Sequence, residues 1–119
     1  MSAGECKVLI VDDDLDTREA LADALAAAGF LVHQASDGQG ALEFIDRNGD
    51  PDVILLDFRM PGMDGAQFLE RTRASRSRVI MLTGDASARV VRLARDAKLL
   101  AKPIDLEQLE AAVKEACAA

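Results

Sequence analysis

Asp12, Asp13 and Asp14 stand in a row directly after the apolar run Lys7-Val8-Leu9-Ile10-Val11, and a single Asp57 closes the run Asp52-Val53-Ile54-Leu55-Leu56. Thr83 follows Arg78-Val79-Ile80-Met81-Leu82, and Lys102-Pro103 follows Lys98-Leu99-Leu100-Ala101. Brought together, these groups have a definite chemistry. Carboxylates within a few ångströms of one another repel and raise each other's pKa, so Asp12, Asp13 and Asp57 call for a cation. Oxygen donors without His or Cys select a hard ion, and Mg2+ takes one or two carboxylates together with waters and a phosphoryl oxygen. Lys102 adds a second positive point charge and Thr83 a neutral hydroxyl donor, which suits a doubly charged phosphoryl group. A carboxylate can attack phosphorus directly and form an acyl phosphate. Asp57, alone at the end of a wholly apolar run, is the expected acceptor.

These residues meet only if the runs are neighbouring strands. Each run lacks period-2 alternation and is rich in branched residues, as expected of a parallel strand covered on both faces. A further segment, Phe30-Leu31-Val32-His33-Gln34-Ala35, partly alternates and suits an edge strand. Helical periodicity fills the gaps. Leu15 to Ala28 carries Leu21, Ala22, Leu25 and Ala26 on one stripe and stops at Gly29; Ala41, Leu42, Phe44 and Ile45 mark a second helix ending near Asn48-Gly49. A third helix is expected from about Asp64 to Arg73, a fourth from about Ala86 to Ala97 and a fifth from Leu106 to Ala116, with Asp105 and Gln108 spaced as a capping box. Strands alternating with helices call for a parallel sheet with helices on both faces, because crossovers are right-handed. In such folds chemistry collects at the carboxyl ends of the strands.

The 119 residues, 1–119, fit one domain, with no output domain in the chain. Half the residues are hydrophobic and 29% charged, as in an ordinary globular chain. Four Phe, no Trp and no Tyr dictate an aliphatic core and remove most stacking platforms for single-stranded nucleic acid. A net charge of −7 disfavours direct binding to nucleic acid or to an anionic membrane. No secretion signal and no apolar stretch of ~18 residues is seen, so a cytoplasmic address is expected. Cys6 and Cys117 lack metal or redox spacing. A helix after the last strand returns to the end of the sheet where the first strand begins, so the two thiols are expected to be close but without a functional disulfide.

Val11-Asp12-Asp13-Asp14, Leu55-Leu56-Asp57-Phe58-Arg59-Met60-Pro61-Gly62-Met63-Asp64-Gly65, Leu82-Thr83-Gly84 and Ala101-Lys102-Pro103, in this order, resemble the receiver domain of two-component response regulators. The resemblance spans essentially the whole chain. It implies a flavodoxin-like (βα)5 domain of the α/β class, with a five-stranded parallel sheet in order 2-1-3-4-5. It implies that Asp57 accepts a phosphoryl group from the phosphohistidine of a sensor histidine kinase or histidine phosphotransfer protein. Asp13, Asp57 and the backbone carbonyl of Arg59 would bind Mg2+, with Asp12 acting largely through water. Thr83 and Lys102 would contact phosphoryl oxygens, Thr83 moving to report occupancy, and the Lys102-Pro103 bond would be cis. A downstream protein or a second copy would bind the face made by the fourth helix, fifth strand and fifth helix. Such a chain is a signalling phosphoacceptor, not a turnover enzyme, and catalyses only its own phosphorylation and dephosphorylation. Leu99 stands where the family often has an aromatic switch residue, Arg95-Asp96 where a small Gly-Ala pair is usual, and Arg59 and Asp85 at positions that tune phosphoryl lifetime.

Blander roles compete at several positions. Asp14 or Asp16 suits a helix cap. Arg89, Arg92 and Arg95 form a basic stripe that is either solvated or part of the partner face. Arg71, Arg73, Arg76 and Arg78 cluster where they complement a helix C-terminus. His33 reads as a polar surface residue. Three other functions share parts of the pattern. A haloacid-dehalogenase-like phosphohydrolase would use Asp12 as nucleophile and Asp14 as acid/base, but Asp16 stands where its motif wants Thr. A flavodoxin-like FMN binder needs a Ser/Thr/Gly-rich phosphate loop, and three aspartates there would repel phosphate. An unphosphorylated pseudo-receiver scaffold would not need the complete acidic, Thr and Lys set.

Overall fold

The computed structural model describes residues 6–58, 77–84 and 97–118. Strands β1 (Lys7–Val11), β2 (Leu31–Ala35), β3 (Val53–Asp57), β4 (Arg78–Thr83) and β5 (Lys98–Ala101) form one sheet, with helices α1 (Leu15–Ala27), α2 (Gly38–Asn48) and α3 (Leu106–Ala118) among the described residues. All strand pairings are parallel and the order is β2-β1-β3-β4-β5, as anticipated. α3 is the last of the five helices expected. The third expected helix, and the fourth up to residue 96, lie outside the described residues.

The interior strands are buried on both faces, and their side chains divide by period 2. Cys6, Val8, Ile10, Val53, Leu55, Ile80, Leu82 and Leu100 pack on one face with Leu21, Ala22 and Leu25 of α1 and Leu109, Ala112 and Val113 of α3. Leu9, Val11, Ile54, Leu56, Met81 and Phe58 pack on the other with Ala41 of α2, and Leu99 joins them. Helices therefore cover both faces. Burying Leu21 and Leu25 contributes about 1.5–3 kcal/mol each, against the tenths of a kcal/mol by which most residues differ in helix propensity. Packing, more than propensity, holds α1 in place.

Local signals fix the ends of the elements. α1 closes in a Schellman motif: the Gly29 N–H donates to the Ala26 carbonyl at 3.0 Å, and the Phe30 N–H to the Leu25 carbonyl at 3.1 Å. Gly29 adopts φ 100°, which an L-side chain would resist. Asp105 accepts the N–H groups of Glu107 and Gln108 at 2.9 and 3.2 Å and starts α3. α2 begins at Gly38, where Asp37 caps it by accepting the Gly40 N–H at 2.7 Å. Asp37→Ala is expected to cost about 1 kcal/mol, read as a lower thermal midpoint with the sheet signal otherwise unchanged.

One expectation is corrected on the α1 and α3 face. Cys6 and Cys117 are indeed neighbours, with a Cα–Cα separation of 5.9 Å, but they are joined as a disulfide rather than left as separate thiols. Period 2 puts Cys6 on the same face as Val8 and Ile10, and α3 returns along that face to the start of β1. This placement brings the two sulfurs within bonding reach, and the structure joins them.

Candidate functional site

The carboxyl ends of β1, β3, β4 and β5 form one edge of the sheet, and each delivers a polar group to it. The register sets their depth: Val11 lies opposite Leu56, Asp57 opposite Leu82 and Thr83 opposite Ala101. Asp57 is the last residue of β3 and is 7% exposed. Asp12 follows β1 directly and is 1% exposed, whereas Asp13 is exposed. Thr83 closes β4 and is buried, its carbonyl accepting the Lys102 N–H at 2.8 Å. Lys102 lies just beyond β5, and its peptide bond to Pro103 is cis.

Asp12, Asp13 and Asp57 each offer a carboxylate oxygen, and these oxygens lie within 4.8 Å of one another. The Lys102 ammonium donates to Asp57 Oδ1 at 3.1 Å. Asp12 Oδ1 accepts the Asp14 N–H at 2.9 Å, while its Oδ2 is buried without a hydrogen-bond partner. An orphaned buried carboxylate oxygen is costly unless charge compensates it. Burial pushes the Asp12 carboxyl above the usual carboxylate range; the Asp14 N–H opposes this, the Asp57 charge adds to it, Lys102 opposes it and Asp13 adds to it. A hard divalent cation among these oxygens would satisfy Asp12 Oδ2 and relieve the repulsion. The donor set fits Mg2+.

Asp14 is turned away from this work. Its Oδ2 accepts both the backbone N–H and the hydroxyl of Thr17, capping α1, and these two bonds hold its carboxyl below the usual range. Arg18 is a contributor the sequence did not reveal. Its guanidinium donates to the Asp12 carbonyl at 2.9 Å and to Gln34 Oε1 at 3.0 Å, tying the loop after β1 to β2. The Asp12 N–H also donates to the Ala35 carbonyl at 3.2 Å. Nothing in its sequence spacing separates Arg18 from Arg47, the other arginine on a described helix.

Leu99 is partly buried on β5, opposite Met81. His33 is exposed on the edge strand, opposite Leu9 of β1, with its ring 4.9 Å from that of Phe44. Arg59, Asp85 and the basic stripe Arg89, Arg92 and Arg95 lie outside the described residues, as do Arg71, Arg73 and Arg76. Arg78 is exposed at the start of β4, the end of the sheet opposite the site.

Fold and site together define a doubly wound α/β domain with an acidic centre at the carboxyl edge of its sheet. Residues 8–114 match the family of response regulator receiver domains, and the chain belongs to that family. It is 33% identical to sporulation initiation phosphotransferase F of Bacillus subtilis over 114 residues, covering 92% of this chain and 91% of that protein. It is 37% identical to the regulatory protein AtoC of Escherichia coli, covering 92% of this chain but only 25% of that longer protein. Among solved structures, chemotaxis protein CheY4 of Vibrio cholerae superimposes with a TM-score of 0.85 at 30% identity, covering 93% of this chain and 98% of that one. The receiver domain of the Francisella response regulator 1452 gives 0.88 at 28% identity, covering 96% and 98%.

Proposed function

We propose that this chain is a phosphoacceptor that takes a phosphoryl group onto Asp57 from the phosphohistidine of a sensor histidine kinase or histidine phosphotransfer protein. The observation that carries this reading is the meeting of Asp57 with Lys102 on one side and with Asp12 and Asp13 on the other. Mg2+ would be held by Asp13 and Asp57, by Asp12 largely through water, and by the Arg59 carbonyl; bound there, it would neutralise the acidic cluster and the charge on transferring phosphoryl oxygens.

The chain's own residues do the rest. A carboxylate oxygen of Asp57 attacks phosphorus as the bond to the donor imidazole nitrogen breaks, and the bonding electron pair leaves with the imidazole. Lys102, already hydrogen-bonded to Asp57, shifts its ammonium charge to a phosphoryl oxygen. The Thr83 hydroxyl, at the end of the neighbouring strand, donates to another. Burial of Asp57 and Thr83 limits water at the reacting centre. The domain acts on itself and has no substrate to turn over. Its occupancy is read by a partner protein or a second copy at the face comprising the fourth helix, β5 and α3, and its place of action is the cytoplasm. Among the described residues no helix is long and apolar enough to cross a membrane.

Asp14 serves as a cap rather than as an acid/base toward the cluster, which leaves a dehalogenase-like use of Asp12 without its second group. Incubation with Mg2+ and a small acyl phosphate is expected to load one phosphoryl group per chain, to stop when the cation is chelated and to fail in Asp57→Ala. Labelling that persists unchanged in Asp57→Ala overturns the assignment.

A further inference from the structure

Cys6 and Cys117 take no part in the acidic edge, and their setting has a chemistry of its own. They are 111 residues apart in sequence and their Cα atoms are 5.9 Å apart, inside the ~4.4–6.8 Å range that a disulfide spans without backbone movement. Their surroundings differ. Cys6 is 0% exposed, packed in the core cluster with Val8, Ala112 and Val113, and its carbonyl is fixed by the Leu31 N–H at 3.1 Å. Cys117 is only partly buried, on the last turn of α3. That turn carries no basic side chain to offset the helix dipole. The sulfur link adds a covalent tether to the packing of Ala116 and Cys117 against the core cluster.

We propose that Cys6 and Cys117 form a reversible thiol–disulfide switch, entered through Cys117, that fastens the last turn of α3 to the start of β1. The oxidant is a low-molecular-weight disulfide of the glutathione class. The Cys117 thiolate attacks one of its sulfurs, the small disulfide bond breaks, and one thiolate departs. The Cys6 thiolate then attacks the Cys117 sulfur of the mixed disulfide, forms the Cys6–Cys117 bond and expels the second thiolate. The two protons from the protein thiols go to the two released thiolates, so the protein loses two electrons and the small disulfide gains two. A buried thiol is inert toward bulky reagents, so the order of attack follows from exposure. In a reducing cytoplasm such a bond is conditional rather than permanent. This point, and the consequence that the switch sets how firmly α3 is held on the partner face, rest on the phosphoacceptor reading.

The test uses the full chain, reduced and then exposed to graded mixtures of glutathione and glutathione disulfide, with acid quench, alkylation and mass spectrometry. The expected result is loss of both alkylatable thiols in oxidising mixtures, with a transient glutathione adduct mapping to Cys117. In Cys6→Ala the adduct is expected to persist, and in Cys117→Ala the remaining thiol is expected to react at least ~10-fold more slowly. Oxidation is expected to raise the thermal midpoint by roughly 10 °C or more, because the link closes most of the chain, and to slow amide exchange over Lys114–Ala118. Two thiols that stay free in the most oxidising mixture, an adduct that maps first to Cys6, or identical exchange in α3 before and after oxidation overturns the switch. Should either alanine variant unfold, adduct mapping in the unmodified chain decides alone. Asp57 labelling on the same samples separates the two readings: thiols that fail while Asp57 labels overturn only the switch, and thiols that respond while Asp57 does not label overturn only the phosphoacceptor assignment.

Discussion

Lys102→Ala is expected to slow phosphoryl uptake from a small acyl phosphate by roughly 10²–10³-fold, the usual effect of removing one preorganised donor from developing oxyanion charge. The ammonium sits 3.1 Å from Asp57 Oδ1, so it already occupies the position from which a phosphoryl oxygen would be met. Folding is expected to register the loss as well, because Asp57, with its side chain only 9% exposed beside Asp12 and Asp13, loses a compensating charge. The informative comparison is thus the labelling rate with Mg2+ present, where the ion compensates the cluster and the folded population is held fixed. Lys102→Arg is expected to recover little, because a planar guanidinium cannot take the place of a compact ammonium at the end of β5. Uptake in Lys102→Ala within a few-fold of the unaltered chain would remove Lys102 from the mechanism.

Asp12→Asn is expected to act in opposite directions with and without Mg2+. Without the ion, Asp12 carries a buried negative charge beside Asp13 and Asp57, with one oxygen unpartnered. The Asn amide oxygen can still accept the Asp14 N–H while the charge disappears, so the variant is expected to be the more stable at neutral pH. The pH dependence has a definite sign. The folded protein holds the Asp12 proton more tightly than the unfolded chain, whose carboxyl follows the ordinary value of 3.8. Stability from this group is therefore greatest at low pH and falls as pH rises from that value through the raised folded one, where the full charge must be buried. In Asp12→Asn this fall is expected to vanish. With Mg2+ at ~100 times its dissociation constant, binding to the folded state contributes about 2.7 kcal/mol to the unaltered chain, and the variant is expected to lose much of it. Melts at several pH values, with and without Mg2+, check both halves; an unchanged Mg2+ shift in the variant would exclude Asp12 from the metal centre.

What could be read from the sequence followed physical strength. The runs around Leu9, Leu55 and Ile80 are long, branched and apolar because both faces of those strands are covered, so their existence and parallel pairing were plain. The polar residues that end them, Asp12, Asp57 and Thr83, were legible for the same reason: a charged or hydroxyl side chain breaking an apolar run marks a strand end. Weak signals were silent. The apolar stripe of α2 gives no start, because Gly38 and Gly40 are poor helix formers, and only the Asp37 cap and its bond to Gly40 define the first turn. Arg18 was invisible as a site residue, since its role lies in two bonds across to the Asp12 carbonyl and Gln34, neither at helical spacing. The Cys6–Cys117 pairing joins residues 111 apart, and topology foretold that they would meet but not that they would bond.

In the proposed reaction the buried carboxylate at the end of β3, and no other side chain, receives the phosphoryl group. The most direct measurement is to phosphorylate the full chain with a small acyl phosphate and Mg2+, trap the acyl phosphate by borohydride reduction, and map the reduced residue by mass spectrometry. A single reduced site at Asp57 is the result predicted. A modified Asp12, Asp13 or His33, or a chain that carries no acyl phosphate under conditions where its Mg2+ centre is filled, would contradict it.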